Sequence, residues 1–134
     1  SRSNSPGTQN GGPGAAGGNW ILDSVGWWYQ YADQTSPSNG WFSLDYLGNK
    51  DWYYFNQNGY MLTGWVLSDG KWYYLNPVSD GSLGRMLTGW QQINGHWYYL
   101  NENSDGTRGA MLTDTWIEGN YVNPEGIWEE GKKK

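Results

Sequence analysis

Residues 64–76 read Gly-Trp-Val-Leu-Ser-Asp-Gly-Lys-Trp-Tyr-Tyr-Leu-Asn, and Met-Leu-Thr-Gly-Trp follows at residues 86–90. The same order of residue types returns at residues 89–101 as Gly-Trp-Gln-Gln-Ile-Asn-Gly-His-Trp-Tyr-Tyr-Leu-Asn, and then as Met-Leu-Thr at 111–113. An earlier copy has Gly-Trp at 40–41 and Trp-Tyr-Tyr-Phe-Asn at 52–56. A repeat of this length is typical of proteins that stack one supersecondary element on the next.

Each repeat is predicted to be a β-hairpin. Asp69-Gly70 and Asn94-Gly95 lie between short runs rich in aromatic and β-branched residues, and such a dipeptide strongly favours a type I′ turn. Across a two-residue turn, facing residues have numbers that add to a constant odd sum and share one face of the sheet. Trp65, Trp72 and Tyr74 are therefore expected on one face and Tyr73 on the other.

The same arithmetic applies to the neighbouring repeats. It places Trp90, Trp97 and Tyr99 on one face and Tyr98 on the other, and it groups Trp41, Trp52 and Tyr54 opposite Tyr53. A solvent-facing hairpin is marginal alone, so stacking of consecutive repeats is expected to cover the aromatic faces.

The repeat is irregular in two places, which we interpret as inserted surface loops. Four more residues separate Trp41 from Trp52 than separate Trp65 from Trp72, with Gly48-Asn49 as the expected turn. Residues 77–85 and 102–110 are longer than residues 57–60, which hold the same place in the earlier repeat. Residues 26–31 are interpreted as a degenerate first copy, with Trp28 in the place of Trp72.

Composition excludes several classes of function. The net charge of −5 and pI near 4.6 argue against nucleic acid or an anionic membrane surface as partner. No apolar run approaches the ~18 residues of a membrane span. The chain has no Cys and one His, His96, beside a predicted turn, so catalysis has little support. We expect no cofactor and no metal, because the Asp-Gly pairs lack calcium-loop spacing.

Residues 1–18 are rich in Gly, Ser and Pro and are expected to form a flexible linker, with a further domain before it. The repeat domain is expected at 19–128, with repeats of about 19–40, 41–64, 65–89, 90–113 and 114–128. Residues 129–134 form a charged tail.

The motif Gly-Trp, a short turn, Trp-Tyr-Tyr-Leu-Asn, then Met-Leu-Thr-Gly-Trp resembles the choline-binding (cell-wall-binding) repeat of Gram-positive surface proteins and phage lysins. The resemblance implies an all-β solenoid, a left-handed superhelix of stacked β-hairpins. It further implies a secreted, non-catalytic module of the bacterial cell surface that holds choline residues of teichoic or lipoteichoic acid between repeats.

In that family two Trp of one repeat, one Tyr of the next and a nearby Met form each choline site. Carried onto this chain, the first site has Trp41, Trp52, Tyr73 and Met61. The second site has Trp65, Trp72, Tyr98 and Met86. A third has Trp90, Trp97 and Met111, with Tyr121 as the available tyrosine of the degenerate last repeat.

Three other interpretations stay open. The rings and the leucines beside them can be purely structural, which is the usual role for residues such as Tyr74, Tyr99, Phe55, Leu75 and Leu100. A glucan-binding module of the same fold would use the same rings with polar neighbours at Gln91, Gln92, Asn76 and Asn101. The inserted loops can also bind a host protein. The terminal repeats can also form a homodimer interface.

Overall fold

The computed structural model describes residues 18–46 and 48–134, which form ten β-strands and no helix. The strands are β1 (Gly18–Leu22), β2 (Trp27–Tyr31), β3 (Gly40–Tyr46), β4 (Asn49–Phe55), β5 (Gly64–Ser68), β6 (Lys71–Leu75), β7 (Gly89–Ile93), β8 (His96–Leu100), β9 (Thr115–Ile117) and β10 (Asn120–Val122). They pair in sequence order as five two-stranded antiparallel hairpins. The all-β prediction of hairpin repeats is confirmed.

The predicted register is confirmed in the hairpins with two-residue turns. Trp65 faces Tyr74, and Leu67 faces Trp72. Trp90 faces Tyr99 in the next hairpin. Asp69 and Asn94 have φ of 52° and 53°, and Gly70 and Gly95 follow with φ of 78° and 85°. Two successive positive φ values are the signature of the type I′ turn that the Asp-Gly and Asn-Gly pairs predicted.

The extra residues of hairpin β3–β4 correct the expectation of a loop. Both strands have seven residues instead of the five of β5 and β6, so the insertion extends the ladder. Gly48, with φ of 86°, lies in the turn, while Asn49 already pairs with Tyr46 in the strands. An even insertion preserves alternation, so Trp41 and Trp52 share a face as predicted.

The first hairpin also corrects the predicted alignment of its Trp residues with those of the later repeats. Trp20 faces Tyr29 and Leu22 faces Trp27 around a turn closed by Asp23 and Gly26. Trp20 therefore occupies the place of Trp65, and Trp27, not Trp28, occupies the place of Trp72. Gly18, expected in the linker, is the first residue of β1, while residues 1–17 lie outside the described part of the chain.

After four of the five described hairpins, the chain pairs again with the hairpin's second strand through an isolated bridge. Phe55 pairs with Met61, Leu75 with Met86, Leu100 with Met111, and Val122 with Trp128. Phe55, Leu75, Leu100 and Val122 are fully buried. Each of the last four repeats therefore has one of them in its structural core. The purely structural role predicted for Phe55, Leu75 and Leu100 agrees with their burial.

An Asn follows the second strand in the last four hairpins, and in three of them its side chain organises the return loop. The Asn56 Oδ1 accepts hydrogen bonds from the backbone N–H of Asn58 and Tyr60, and Asn123 Oδ1 accepts two more in the last loop. Asn101 is buried, and its amide donates to Asp105 and Thr107 across the longer loop. Such side-chain bonds replace a backbone ladder where the chain turns.

The fold divides into two compact units, each described by itself. The first unit contains the described residues up to Thr63 together with Pro77–Arg85, and the second contains Gly64–Asn76 and Met86–Lys134. In the first unit Tyr29, Leu44, Tyr53 and Phe55 form the buried core, with Trp20, Tyr31, Phe42 and Met61 packed against it. The core of the first unit is thus built largely from aromatic rings.

Candidate ligand cages between hairpins

Three rings of the second unit converge at one place, which we call the second-unit cage: Trp65, Trp72 and Tyr98. The ring of Trp65 lies 6.4 Å from that of Trp72, with the two planes at 90°. Tyr98, from the following hairpin, lies 5.1 Å from Trp65 at 73°. Tyr74 holds Trp65 in place from the facing strand, with ring centroids 4.9 Å apart. The structure therefore brings together the three rings predicted for this site.

The second Trp of each repeat is exposed. Trp52, Trp72 and Trp97 keep 43%, 42% and 38% of their surface open to solvent. Two positions further along the same strands, on the same face, the side chains are half-buried. The residue that ends each strand is fully buried. An exposed indole in three successive repeats is unexplained by core packing, because burial is the usual place of so large a ring. The exposure of this second Trp therefore favours a role in ligand binding over a purely structural role for the ring.

A hydrogen bond between repeats identifies which Met approaches each Trp pair. The N–H of Met111 donates to the carbonyl of Trp72 at 2.8 Å. The N–H of Met61 donates to Trp27 in the same way, also at 2.8 Å. Met86, which the family pattern assigned beside Trp65 and Trp72, bridges to Leu75 at the end of β6. Its place beside those two Trp stays a prediction. The Met that adjoins the second-unit cage by this backbone link comes from the return loop of the following hairpin.

Glycine is required where the next return loop covers that Met. Gly126 has φ of 86°, and a Cβ at this position would collide with the sulfur of Met111. Gly84 makes the same close approach to Met61 with the same φ of 86°. Only glycine combines left-handed backbone with so close a contact. The thioethers of Met61 and Met111 are thereby held against rigid turns.

Sequence reasoning missed an equivalent constellation in the first unit, the first-unit cage: Trp20, Trp27, Tyr53 and Met61. Trp20 lies 4.9 Å from Tyr53 at 61°, nearly the geometry of Trp65 with Tyr98. All four residues line one cavity of about 160 Å³. The adjacent pair Trp27-Trp28 misled the alignment, because Trp28 fills the place that tyrosine has in later repeats. Counting pairs outward from the turn between Asp23 and Gly26 would have placed Trp20 opposite Tyr29.

The first predicted site is divided between the units. Trp41 and Trp52 lie on one face of β3–β4 in the first unit, where Trp41 packs on Tyr54 with ring centroids 5.0 Å apart. Tyr73 belongs to the second unit. Met61, assigned to this site, lines the first-unit cage. A cage of Trp41, Trp52 and Tyr73 therefore stays a prediction.

The third predicted site, which we call the end site, has Trp90 and Trp97 but lacks its tyrosine. Asn120 stands where the register has Tyr98 in the hairpin before. Tyr121 faces Trp116 instead, its hydroxyl donates to Asp114, and the Lys132 ammonium lies 4.3 Å above its ring. The N–H of Trp128 donates to the Trp97 carbonyl at 2.9 Å, so Trp128 has the place that Met has elsewhere.

Comparison with known proteins gives the family. Two family models match, a choline-binding repeat over residues 47–83 and a cell wall binding repeat over residues 88–103. A choline binding domain from Streptococcus pneumoniae is 39% identical with a TM-score of 0.53, over 72% of this chain and 100% of that one. The chain belongs to the choline-binding repeat family.

Two longer members of the choline-binding repeat family are also similar. Choline binding protein F from Streptococcus pneumoniae, solved with a peptidoglycan analogue, is 38% identical over 83% of this chain, with a TM-score of 0.65. The multimodular pneumococcal cell wall endolysin from phage Cp-1, complexed with choline, is 35% identical over 91%, with a TM-score of 0.62. This chain spans 33% of the length of each. A search of curated proteins found no match.

In this choline-binding repeat chain, the tyrosine of the first-unit cage is protonated at neutral pH. Burial, followed by the nearby Asp51 carboxylate, raises the pKa of Tyr53 to about 12.

Among residues 18–46 and 48–134, no three acidic or His side chains are grouped so as to hold a metal. No helix in that part of the chain could cross a membrane. The cages therefore offer ring faces and thioethers as their recognition groups.

Proposed function

We propose that this chain is a non-catalytic module that holds choline residues of teichoic or lipoteichoic acid in aromatic cages, and so attaches a protein to the bacterial cell surface. The observation that carries the proposal is the second-unit cage. It has three rings from two hairpins, two of them perpendicular, with Trp72 42% exposed. The module is expected to act outside the cell, where such wall polymers lie.

The geometry suits a quaternary ammonium group. Its charge is spread over methyl groups, so it loses little hydration and is attracted to ring faces by ~0.5–2 kcal/mol per contact. Perpendicular rings present two such faces to one small ligand. Met111 adds a polarisable thioether that adapts to methyl groups. The net charge of −5 favours the approach of a cation over that of an anion.

The same side chains are unsuited to acid-base chemistry. Indole rings and thioethers neither take up nor release a proton near neutral pH, and burial keeps the Tyr53 hydroxyl protonated. A general acid or base needs a pKa close to the working pH. We therefore assign binding, and no reaction, to the cages.

The glucan alternative is weakened by what the polar side chains already do. A sugar site needs free donors and acceptors beside each ring. Asn101 is 5% exposed and its amide donates within its own loop, while Gln91 Nε2 donates to the Thr88 carbonyl at 3.0 Å. Asn76 is 6% exposed. Three of the four polar residues proposed for sugar recognition are thus committed to the fold, which favours choline.

The test is a pair of titrations followed by intrinsic Trp fluorescence, one with choline and one with an α-glucan oligosaccharide. We expect saturable quenching or a blue shift with choline at millimolar concentration, and no saturable change with the glucan. The protein should also be retained on a tertiary-amine matrix and eluted by free choline. Saturation by the glucan together with silence toward choline would overturn the proposal.

A further inference from the structure

A charged or titratable side chain lies two positions before the tyrosine of each cage, including the predicted cage of Tyr73. The pairs are Asp51 with Tyr53, Lys71 with Tyr73, and His96 with Tyr98. Each pair lies within one strand, so both of its members project from the same face of the hairpin. The position beside the tyrosine therefore holds a carboxylate, an ammonium group and an imidazole in three successive hairpins.

In the second-unit cage the residue at this position is His96, and its ring adjoins the cage. The centroids of the His96 and Tyr98 rings are 6.4 Å apart, with the planes at 86°. Tyr98 in turn lies 5.1 Å from Trp65. His96 is exposed and faces the buried Ile93 across the hairpin. Because a single ring separates the imidazole from the cage, a charge on His96 lies within about one Debye length, ~10 Å at 0.1 M salt, of a bound cation.

The first-unit cage shows that a charge at this position acts on the neighbouring tyrosine. Burial is the main cause of the raised pKa of Tyr53, and the Asp51 carboxylate is the next. A negative charge there disfavours a second negative charge on the ring, and the same field attracts a cation held against it. A positive charge at this position acts in the opposite direction. The protonation of His96 is therefore expected to matter for a cation beside Tyr98.

His96 is the only charged or basic residue of β7–β8. The charged residues of the turns and loops around this hairpin are Asp69 and Lys71 of the β5–β6 turn, Glu102, Asp105 and Arg108 of its own return loop, Glu118 of the last turn, and Glu125 of the loop over Met111. Carboxylate, ammonium and guanidinium groups keep their charge between pH 5.5 and 7.5, whereas imidazole takes up a proton. Among these residues, His96 is thus the one whose charge changes in that range.

From this placement we infer that His96 sets the affinity of the second-unit cage for its cation. The neutral imidazole permits binding of a quaternary ammonium group, and the protonated imidazolium repels it. The inference rests on the proposed choline-binding function and adds the residue that controls one of its sites. A single charge at this distance in a half-exposed site should weaken binding by about threefold. The second-unit cage therefore releases choline as the solution becomes acidic, whereas the first-unit cage, with Asp51 at the same position, does not.

The test is a choline titration of the full chain at pH 7.5 and pH 5.5, followed by the ¹⁵N indole signals of Trp65 and Trp72. In the wild type we expect binding at these signals to be about threefold weaker at pH 5.5. His96→Gln should bind with one affinity at both pH values. His96→Lys, which introduces the side chain of Lys71, should bind weakly at both. His96→Asp, which introduces that of Asp51, should bind most tightly at both.

The matched control is Gln92→Lys, which adds the same positive charge to the other face of the same hairpin. Gln92 is exposed and faces Trp97 across the strands. This variant should weaken binding at Trp65 and Trp72 by about 1.5-fold or less, because its charge points away from the cage. The indole signal of Trp27, in the first-unit cage, should report the same choline affinity at both pH values.

Three results would overturn the inference while leaving choline binding intact. They are a wild-type affinity that does not change with pH, a pH dependence that persists in His96→Gln, and equal affinities of His96→Lys and His96→Asp. A loss in Gln92→Lys as large as that in His96→Lys would also overturn it, since the effect would then not depend on the face. No response of Trp65 and Trp72 to choline at either pH would instead refute the proposed function.

Discussion

The second-unit cage and the end site start from the same pair of rings and differ in what the following hairpin supplies. Trp65 with Trp72 meets Tyr98 from β8, with ring centroids of Trp65 and Tyr98 5.1 Å apart. Trp90 with Trp97 meets Asn120 from β10 in the corresponding register. The recognition site is therefore a property of two consecutive hairpins, and a Trp pair alone does not complete it.

The comparison extends to the residue that closes each site. The N–H of Met111 bonds to the Trp72 carbonyl, and that of Trp128 bonds to the Trp97 carbonyl. The last hairpin, with strands of three residues, is the shortest of the five. The Tyr121 hydroxyl donates to Asp114 and its ring is covered by Lys132, so this tyrosine stabilises the last hairpin and is not part of the end site. The end site thus has a third indole in place of a thioether and no tyrosine.

The largest expected effect comes from removing the exposed ring of the second-unit cage. Trp72→Ala should weaken choline binding at that cage about tenfold or more, because one ring contact is worth up to ~2 kcal/mol. Trp97→Ala, at the matched position of the end site, should cost about threefold or less in total binding. Both affinities can be measured by calorimetric titration with choline.

Trp72→Phe is the matched control, since it keeps an aromatic face at the same place. Its affinity should lie between those of the wild type and Trp72→Ala. Because Trp72 is 42% exposed, none of these changes should unfold the chain, which the thermal midpoint will show. Equal losses for Trp72→Ala and Trp97→Ala would contradict the distinction between the two sites.

An intermediate effect is expected from supplying the missing ring. Asn120→Tyr places a tyrosine where β8 has Tyr98, and should raise choline affinity at the end site by about threefold to tenfold. Asn120→Leu, which adds apolar volume without a ring face, should not. Asn120 Nδ2 donates to the Ile117 carbonyl at 3.2 Å, so both variants lose the same bond. A gain of equal size in both variants would contradict the cation-π explanation.

The register was predictable because it depends on local chemistry. Asp69-Gly70 and Asn94-Gly95 fix the turns, and period-2 alternation then assigns every ring to a face. The rings of the second-unit cage followed directly from that arithmetic together with the family pattern. The hydrogen bond from the Met111 N–H to the Trp72 carbonyl did not, because it joins a return loop to the hairpin before its own.

The first-unit cage was missed for a related reason. Its Trp20 lacks the preceding Gly of the motif, and Trp27-Trp28 offers two alignments that spacing alone cannot separate. Pairing across the turn between Asp23 and Gly26 decides between them. The four-residue insertion was misread as a loop, because sequence length alone does not distinguish a longer ladder from a longer turn.

The smallest expected effect concerns Tyr53, the counterpart of Tyr98 in the first-unit cage. Its pKa is raised to about 12, so burial of its neutral form contributes stability that is fully present below about pH 10 and is lost as the pH rises through 12. The free energy of unfolding, measured by urea denaturation, should fall between pH 10 and 12, and Tyr53→Phe should reduce that slope. An unchanged slope in Tyr53→Phe would contradict the assigned pKa.

The most direct test of the account is the response of the individual Trp indole N–H signals to choline in the intact chain. Choline should shift the signals of Trp65 and Trp72 together, with one common dissociation constant, and should move Trp116, which packs on Tyr121 in the last hairpin, much less. That result would locate choline between consecutive hairpins. Uniform small shifts of all indoles, or saturation of Trp72 without Trp65, would contradict it.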